Sequence, residues 1–394
     1  MLTRRAALFT SLALPAAARI ARAEGAPIPL GTILPLTGAG GAYGPSMAKV
    51  ARAATDAINA AGGVLGRKLA LTVEDDQTSP DAGVLAARKL IDVNRVCAIV
   101  GTWASAVTTA VAPLCWQSKT MLFTVSGADS ITRLPHHGYI IRTQPNTHLQ
   151  GTRAGAFLLA QGTKRMFALS VQAPFAVDSY NRIAEVLKGG GASATGDIIY
   201  DPSKTSFRSE IDEALRGKPD TLFLNSYEPD LAILLREIYQ AGFNGRRVTL
   251  GYAANEKLLR ALPPAVTNGL LSYSPSPDIA SPAYARVQQI LDTKNPDPYS
   301  CQIYDHVSLV ALAIGKAGAA TGLAIHDNVR TISQGGGQRV SSAVDGLKLL
   351  AAGHAVNYDG ASGPCDFLPS GDIAGCKFRF DEAQAGHDKL LSVS

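Results

Sequence analysis

Residues 98–125 read AIVGTWASAVTTAVAPLCWQSKTMLFTV, and this stretch decides the fold. It predicts a strand at Ala98–Val100, a helix at Val107–Trp116 and a second strand at Met121–Val125. Two short apolar strands that alternate with a helix indicate a unit in which the strands run parallel. Because parallel sheets carry helices on both faces, the stretch predicts one segment of a covered α/β sheet.

The same alternation continues along most of the chain. Seven such units are too many for one sheet of ordinary size, which has about 5–6 strands. We therefore predict two doubly wound α/β domains. The remaining predicted strands are Leu30–Leu36, Leu69–Glu74, Met166–Val171, Thr221–Asn225 and Val248–Tyr252. The remaining predicted helices are Met47–Ala60, Gly83–Val93, Leu149–Ala160, Tyr180–Leu187 and Leu231–Ala241.

Three irregular segments are candidates for crossings between the domains. Residues 139–146 (YIIRTQPN) are extended and then interrupted by Pro145. Residues 274–282 (SPSPDIASP) form a Pro- and Ser-rich break, and residues 284–352 after it are mostly helical in pattern. Residues 358–364 precede a final hairpin. Three crossings would build each domain from separate parts of the chain.

Composition and charge exclude several classes of protein. The chain has 394 residues, 46% of them hydrophobic and 18% charged, which excludes a disordered chain. Four of the 37 basic residues lie within residues 1–23, so the remainder carries 33 basic against 32 acidic residues. No basic run remains, and we expect no nucleic-acid partner.

Residues 1–23 have the pattern of an export signal. Arg4 and Arg5 precede a short apolar run, and Ala21-Arg22-Ala23 fits the small-residue cleavage pattern, so we expect cleavage after Ala23. The apolar run is too short to span a bilayer. The paired arginines resemble a twin-arginine signal, and an ordinary Sec signal is the alternative. The predicted location is the periplasm.

Five cysteines are an odd number, so at least one has no partner within the chain. A hairpin that turns at Ser370-Gly371 would set Cys365 opposite Cys376, and an oxidising compartment then favours a disulfide. Cys97 and Cys115 could also meet. For both pairs the alternative is that the cysteines are small buried apolar residues. No cysteine or histidine cluster predicts a metal site, and we expect no cofactor.

The common catalytic motifs are absent from the sequence. The glycine-rich GAGGAYG at residues 38–44 has Tyr43 where a dinucleotide-binding loop needs its third glycine. There is neither a phosphate-binding GxxxxGK[ST] loop nor a GxSxG nucleophile elbow. We therefore expect a protein that is not an enzyme.

Six segments, in this order, resemble the type I periplasmic binding proteins of ABC importers, in their branched-chain amino acid (Leu/Ile/Val) group. They are IPLGTILPLTGAGGAYG (28–44), AINAAGGVLGRKLALTVEDDQTSP (57–80), IVGTWASAVTTAVAP (99–113), IIRTQPNTHLQGTRAGAFL (140–158), IYDHVSLVALAI (303–314) and VNYDGASGPCDFLPSGDIAG (356–375).

The resemblance implies two α/β lobes joined by three crossovers, with a small-molecule solute bound in the cleft by hinge closure. We expect lobe 1 at residues 27–143 plus 274–361 and lobe 2 at residues 144–273 plus 362–394. The implied partner is the membrane permease of an ABC importer, and we expect a monomer. The alternative function is a ligand sensor that uses the same closure to regulate amide or amino-acid metabolism.

The family's carboxylate-binding residues match two loops. Ser105 stands at a helix start, where a hydroxyl and free amide groups suit a carboxylate; a plain helix N-cap is the alternative. Ser126, Gly127 and Ala128 match the second loop, where the family often has a hydroxyl residue in place of Ala128. The resemblance assigns aromatic pocket walls to Tyr43, Trp103, Phe175 and Tyr227; for Trp103, a buried anchor beneath the loop is the alternative.

The main departure lies at Gly251-Tyr252-Ala253. Amino-acid binders of the family carry an acid at the position of Ala253, where it pairs with the ammonium group of the ligand. Either Glu256 or Asp305 substitutes, or the solute has no α-ammonium, because a buried ammonium without a carboxylate would be costly. For Asp305, a structural cap between the lobes is the alternative. An aromatic or aliphatic acid, or an amide, therefore competes with an amino acid.

Overall fold

The computed structural model describes residues 25–202 and 204–394. The predicted export signal at residues 1–23 and its cleavage site lie outside these described residues. Within them the predicted α/β class is confirmed, because the strands assemble into two large sheets against which helices pack.

Five parallel strands form the first sheet: β1 (Ile28–Leu34), β2 (Leu69–Asp75), β3 (Ala98–Gly101), β4 (Met121–Thr124) and β5 (Ile140–Arg142). Their order is β2-β1-β3-β4-β5, with Gly31 beside Ile99 and Ile99 beside Leu122. Every residue of β3, β4 and β5 is buried. This is the burial pattern of strands that are covered on both faces.

Seven strands form the second sheet: β6 (Arg165–Val171), β7 (Ser193–Tyr200), β8 (Thr221–Asn225), β9 (Arg246–Leu250), β10 (Leu270–Ser276), β13 (Lys377–Gln384) and β14 (His387–Val393). Their order is β14-β13-β10-β9-β8-β6-β7. The strands from β10 to β7 are parallel, and the hairpin of β13 and β14 adds two antiparallel strands at one edge. The second sheet is therefore mixed.

Thirteen α-helices cover the sheets in the described residues: α1 (Gly44–Ala60), α2 (Pro80–Arg88), α3 (Ser105–Gln117), α4 (Thr147–Ala160), α5 (Pro174–Gly189), α6 (Arg208–Arg216), α7 (Glu228–Gln240), α8 (Glu256–Ala261), α9 (Pro264–Thr267), α10 (Pro282–Leu291), α11 (Pro298–Ala317), α12 (Gly322–Gln334) and α13 (Ala343–Ala351). A π-helical turn, Lys89–Val93, extends α2, and the strands β11 (Gln338–Val340) and β12 (Val356–Tyr358) form a small ribbon. The late helices return to the first sheet, since α10 and α11 pack on α1 and α11 also contacts β3.

Local signals start and end the helices near the cleft. The Asn146 side chain accepts from the backbone N–H of Leu149 and caps α4. Asp297 caps α11 in the same way through Ser300. Helix α11 ends at Gly318, whose φ of 68° lies in the left-handed region that glycine adopts without strain.

The chain passes between the two sheets three times. It leaves the first sheet after β5, returns from the second after β10, and crosses again between β12 and β13. The second boundary between the lobes is predicted from the sequence at residues 273–274. This position falls inside β10. That strand continues to Ser276 because β13 pairs with it as far as Lys377.

The cores of the two lobes meet in the cleft. The larger cluster of buried apolar side chains includes residues of both sheets. A smaller cluster lies between the second sheet and helices α4 and α5, where the rings of Phe157 and Phe380 stack with centroids 4.2 Å apart. The structure is therefore a closed arrangement in which side chains of both lobes share one core.

Arg142, the last residue of β5, links the first and third crossings. Its guanidinium is fully buried, and its Nε donates to Asp372 Oδ1 at 2.5 Å. Its Nη1 donates to the carbonyl oxygen of Ala128 at 2.6 Å and to that of Ser126 at 3.3 Å. Burial alone would raise the pKa of Asp372, but the charge of Arg142 and the bonds from Ser370 and Thr132 outweigh burial and lower it.

We expect Asp372→Asn to destabilise the protein at pH 7 by about 3–5 kcal/mol, because it leaves a buried guanidinium without its counter-charge. The folded protein holds the pKa of Asp372 below its ordinary value. Its contribution is therefore present at neutral pH and declines as the pH falls below about 4. Urea unfolding at pH 7 and at lower pH measures the difference. The exposed Asp366→Asn in the same crossing is the control, and equal losses in both variants would contradict the assignment.

Candidate functional site

The carboxyl ends of the parallel strands in both sheets face one cleft, as open α/β sheets arrange their ligand sites. Loops that follow β3 and β4 supply one wall, and the segments after β8 and β9 supply the other. Between them lies an inner pocket of about 30 Å³ lined by Trp103, Ala104, Ser105, Val125, Gly127, Gln144, Thr147, Gln150, Phe175, Tyr227, Leu250, Tyr252 and Tyr299. Among the residues that the structure describes, no charged residue lines this inner pocket.

Ser105 is the first residue of α3 and lines the inner pocket. Its side chain is buried, and its Oγ accepts from the backbone N–H of Ala128 at 3.2 Å. The amide groups of a helix's first turn have no intrahelical partner and carry partial positive charge. The position therefore offers a hydroxyl and helix amides to an anionic group.

The three residues of the second predicted loop have different structural roles. Gly127 lines the inner pocket, and a β-carbon there would approach Gln150 Nε2 to 3.1 Å. The buried Ser126 hydroxyl does not line the pocket; it donates to the carbonyl oxygens of Thr102 and Trp103, at 2.9 Å each. Ala128 is likewise buried outside the pocket and contributes the N–H that Ser105 accepts. Ser126 therefore stabilises the conformation of the first loop through these two hydrogen bonds.

The first loop holds a strained backbone. Thr102 has a φ of 58°, which is rare for a β-branched residue. Its Oγ1 donates to Thr124 Oγ1 at 2.8 Å, and its carbonyl oxygen accepts from Thr124 Oγ1 at 2.7 Å. A buried hydroxyl network that includes Ser126 thus fixes the conformation that turns Trp103 and Ser105 toward the cleft.

Aromatic rings from both lobes fill the space next to Ser105. Trp103 lies 5.5 Å from Tyr227, 5.5 Å from Tyr252 and 5.8 Å from Tyr299, measured between ring centroids. Phe175 lies 5.5 Å from Tyr227 and 5.9 Å from Tyr252. Burial raises the pKa of Tyr227, Tyr252 and Tyr299, so their hydroxyls stay neutral. We call these five residues, together with Tyr43, the aromatic cluster.

Tyr43 connects the lobes directly. Its ring stacks against Trp103 with centroids 6.1 Å apart, and its hydroxyl donates to the carbonyl oxygen of Tyr252 at 2.6 Å. Tyr43 follows β1 and Tyr252 follows β9, so this bond joins the first sheet to the second. It is a contact of the closed arrangement.

Sequence reasoning missed several lining residues. Tyr299 stands in the first turn of α11 and lines the pocket, four residues before the segment 303–314 of that helix that carries the family resemblance. Gln144 lies in the first crossing, where its Oε1 accepts from Gln302 Nε2 at 2.8 Å. Gln150 lies on α4 and donates to the carbonyl oxygen of Pro145 at 2.7 Å. Gln144 could have been predicted as a lining residue, because it lies in the crossing YIIRTQPN that the sequence indicates. No feature of the sequence indicated that Tyr299 lines the pocket.

The acids suggested as substitutes at Ala253 lie elsewhere. Ala253 itself is buried in the apolar core and does not line the inner pocket. Glu256 is exposed at the rim, where it pairs with Arg260 at 2.5 Å and with His387 at 3.1 Å. Asp305 is fully buried and accepts from Tyr358, Ala361 and Ser362. Asp305 therefore has the contacts of the structural cap, which the sequence left open as the alternative to a binding role.

The predicted disulfide is not formed, and Cys365 and Cys376 are free cysteines. The hairpin does turn at Ser370-Gly371, but Phe367 pairs with Ile373, so the register places Cys365 opposite Gly375. A shift of one residue turns side chains to opposite faces. Cys365 packs in the larger core and Cys376 in the smaller one. Cys97 and Cys115 are also free.

A larger outer chamber of about 280 Å³ adjoins the inner pocket. The two share the lining residues Gln150, Leu250, Tyr252 and Tyr299. The chamber extends toward the β13–β14 hairpin, from which Arg379 and Asp381 line it. Across the described residues, no group of three or more His, Cys, Asp or Glu side chains could hold a metal ion.

Comparisons with known proteins agree with this architecture. The family model described as "Periplasmic binding protein" matches residues 27–387. The Leu/Ile/Val-binding protein BraC3 of Rhizobium johnstonii is 25% identical over 322 residues, covering 81% of this chain and 85% of that protein.

Two solved structures share the fold. The leucine-binding protein LivK of Thermotoga maritima superposes with a TM-score of 0.80 at 21% identity, covering 93% of this chain and 98% of that one. A solute-binding protein of an ABC transporter from R. palustris, in complex with benzoate, superposes with a TM-score of 0.76 at 16% identity, covering 93% and 96%.

We expect Tyr43→Phe to shift the ligand-free protein toward more open forms, because it removes the hydroxyl that bonds to Tyr252 and keeps the ring. A hydrogen bond of this kind contributes about 0.5–1.5 kcal/mol. Small-angle X-ray scattering should then show a larger radius of gyration than for the wild type. Tyr239→Phe is the control, since Tyr239 is exposed on α7. Identical scattering from Tyr43→Phe and the wild type would contradict this role.

Proposed function

The chain belongs to the periplasmic binding protein family, and from that premise we propose that it captures a carboxylate-bearing solute without an α-ammonium group. The solute would lie in the interlobe cleft, with its anionic end at Ser105 and a flat apolar part among the aromatic cluster. The protein would serve as the extracytoplasmic receptor of an ABC importer and would release the solute unchanged.

The observation that carries this proposal is the absence of any acidic side chain from the inner pocket within the described residues. Burying an ammonium group without a carboxylate costs several kcal/mol. Glu256 is paired at the exposed rim, and Asp305 is committed to backbone and hydroxyl donors of Ala361 and Ser362. A solute without an ammonium avoids that cost.

The proposed anion site uses neutral groups. Ser105 Oγ, the first-turn amides of α3 and the Gln150 amide converge on the inner pocket. Oriented amide dipoles at a helix start stabilise anions without a cationic side chain. A ligand carboxylate would compete with Ser105 for the N–H of Ala128, which lies 3.2 Å from Ser105 Oγ.

The aromatic cluster favours a flat solute. Stacked or edge-on ring pairs add about 0.5–1.5 kcal/mol beyond the area that they bury. Trp103, after a strand of the first sheet, and Phe175, after a strand of the second, each approach Tyr227 and Tyr252. The related R. palustris structure in complex with benzoate supports an aromatic acid as a solute that this fold accommodates.

We propose that the lobes divide at the three crossings and move about them. The exported protein would lose residues 1–23, act in the periplasm as a monomer, and dock in its closed form on a membrane permease. Transport and sensing are separated by deleting the gene in its host. Loss of uptake of a labelled solute supports transport. Intact uptake with loss of a solute-dependent response would favour the sensor alternative.

We expect aromatic acids such as benzoate and 3-phenylpropanoate to raise the melting temperature, and leucine, isoleucine and valine to leave it unchanged. The protein is first unfolded and refolded to remove any solute carried from the host. Binding of the three amino acids with no effect of aromatic acids would overturn the proposal.

Ser105→Ala should weaken the binding of an aromatic acid by roughly 10- to 150-fold, because a hydrogen bond to a charged group contributes about 1.5–3 kcal/mol. Isothermal titration calorimetry measures the change. Ser209→Ala, at an exposed position on α6, is the matched control. Unchanged affinity in Ser105→Ala would place the anion site elsewhere.

A further inference from the structure

Two tyrosines that line the outer chamber have buried phenol hydroxyls with no hydrogen-bond partner among the described residues. They are Tyr252, which lines both the chamber and the inner pocket, and Tyr273, which lines the chamber. Tyr273 is only 1% exposed. A buried polar group without a partner costs free energy, so each such group calls for an explanation.

The two hydroxyls belong to one group of phenols. Burial raises the pKa of Tyr252, and the neighbouring phenols Tyr227, Tyr299 and Tyr273 raise it further. Burial likewise raises the pKa of Tyr273. These hydroxyls are therefore neutral at physiological pH, and each can both donate and accept a hydrogen bond.

Most charged groups of the chamber already have partners, either within the chamber or beside it. Arg379 forms two bonds to Asp381, at 2.7 and 2.6 Å. Asp297 accepts from the backbone N–H and the hydroxyl of Ser300 as the cap of α11. Glu256 is paired with Arg260, and Asp388 lies exposed at the rim. Among the described residues that line the chamber, the buried side-chain polar atoms without a hydrogen-bond partner are therefore the neutral hydroxyls of Tyr252 and Tyr273.

The inner pocket is much smaller than the outer chamber, at about 30 Å³ against about 280 Å³. Tyr252 and Tyr299 are two of the four residues that line both. A solute that is anchored at Ser105 and longer than the inner pocket would therefore extend past these two rings into the chamber.

We propose that the outer chamber is a distal subsite of the cleft, in which Tyr252 and Tyr273 select an uncharged hydroxyl or carbonyl group at the far end of the solute. This inference rests on the proposed function, since it assumes a carboxylate bound at Ser105. It narrows the solute class to elongated carboxylates that carry a second, neutral polar group.

The test compares 3-(4-hydroxyphenyl)propanoate, 3-phenylpropanoate and 3-[4-(aminomethyl)phenyl]propanoate by isothermal titration calorimetry. These acids share one skeleton and differ at the distal end. The wild type should bind the hydroxylated acid about fivefold or more tightly than the other two, as expected for one or two hydrogen bonds. Equal affinities, or tightest binding of the aminomethyl acid, would overturn the inference.

Tyr273→Phe and Tyr252→Phe assign the preference to these two hydroxyls. Tyr273→Phe should bring the affinities of the hydroxylated and unsubstituted acids to within about twofold, and Tyr239→Phe should leave the preference intact. Because the Tyr273 hydroxyl bonds to no group within the described residues, Tyr273→Phe should not lower the melting temperature of the ligand-free protein. A preference that survives both cleft variants, or a fall in that melting temperature, would contradict the subsite.

The two proposals fail in distinguishable ways. If none of the three acids binds, the proposed function fails and the subsite fails with it. If 3-phenylpropanoate binds and Ser105→Ala weakens it, but the hydroxyl adds no affinity, the proposed function stands and only the subsite is rejected.

Discussion

The buried guanidinium of Arg142 joins the parts of the molecule that the cleft requires. It pairs with Asp372 in the third crossing and holds the carbonyl oxygens of Ser126 and Ala128 in the loop after β4. A buried ion pair adds little net stability, but either partner left alone is costly. The pair therefore fixes a geometry: the loop that meets Ser105 is tied to the segments that connect the lobes. A movement of those segments would therefore shift the loop after β4 through the contacts of the Arg142 side chain.

Polar groups without charge dominate the inner pocket, and this follows from how its wall is built. Parallel strands end at the same edge, so helix starts such as that of α3 gather there with unpaired amides. Hydroxyls behind them, from Thr102 to Ser126, fix the loop by bonding to one another and to backbone oxygens. Such dipoles are oriented by the fold itself, so under the proposed function an anion would need no mobile cation to be held. An ammonium in this pocket would have no carboxylate partner among the described residues that line it.

The sequence predicted what depends on local pattern and missed what depends on distant partners. Strand–helix alternation located the loops that bring Ser105, Gly127 and Tyr227 to one pocket, because strand ends follow from short-range periodicity. The structural role of Asp305 depends on hydrogen bonds from Tyr358 and Ser362, which are more than fifty residues away in the sequence. No local sequence pattern therefore identifies Asp305 as a cap. The predicted pairing of Cys365 with Cys376 differs from the structure by one residue in the hairpin register, which puts Cys365 opposite Gly375. Tyr299 reaches the pocket only because α11 packs back onto α1 after two crossings.

The aromatic cluster links closure to the shape of the solute. In the closed arrangement, rings of both lobes contact one another and leave about 30 Å³ between them. Under the proposed function, a solute would enter by replacing ring–ring contacts, each of which contributes about 0.5–1.5 kcal/mol. A flat ring would restore contacts of similar geometry to Trp103, Phe175 and Tyr227, whereas a small branched aliphatic group would leave unfilled space that lowers its gain. The ring contacts between the lobes would therefore also discriminate among solutes, although no charged residue of the described chain lines the inner pocket.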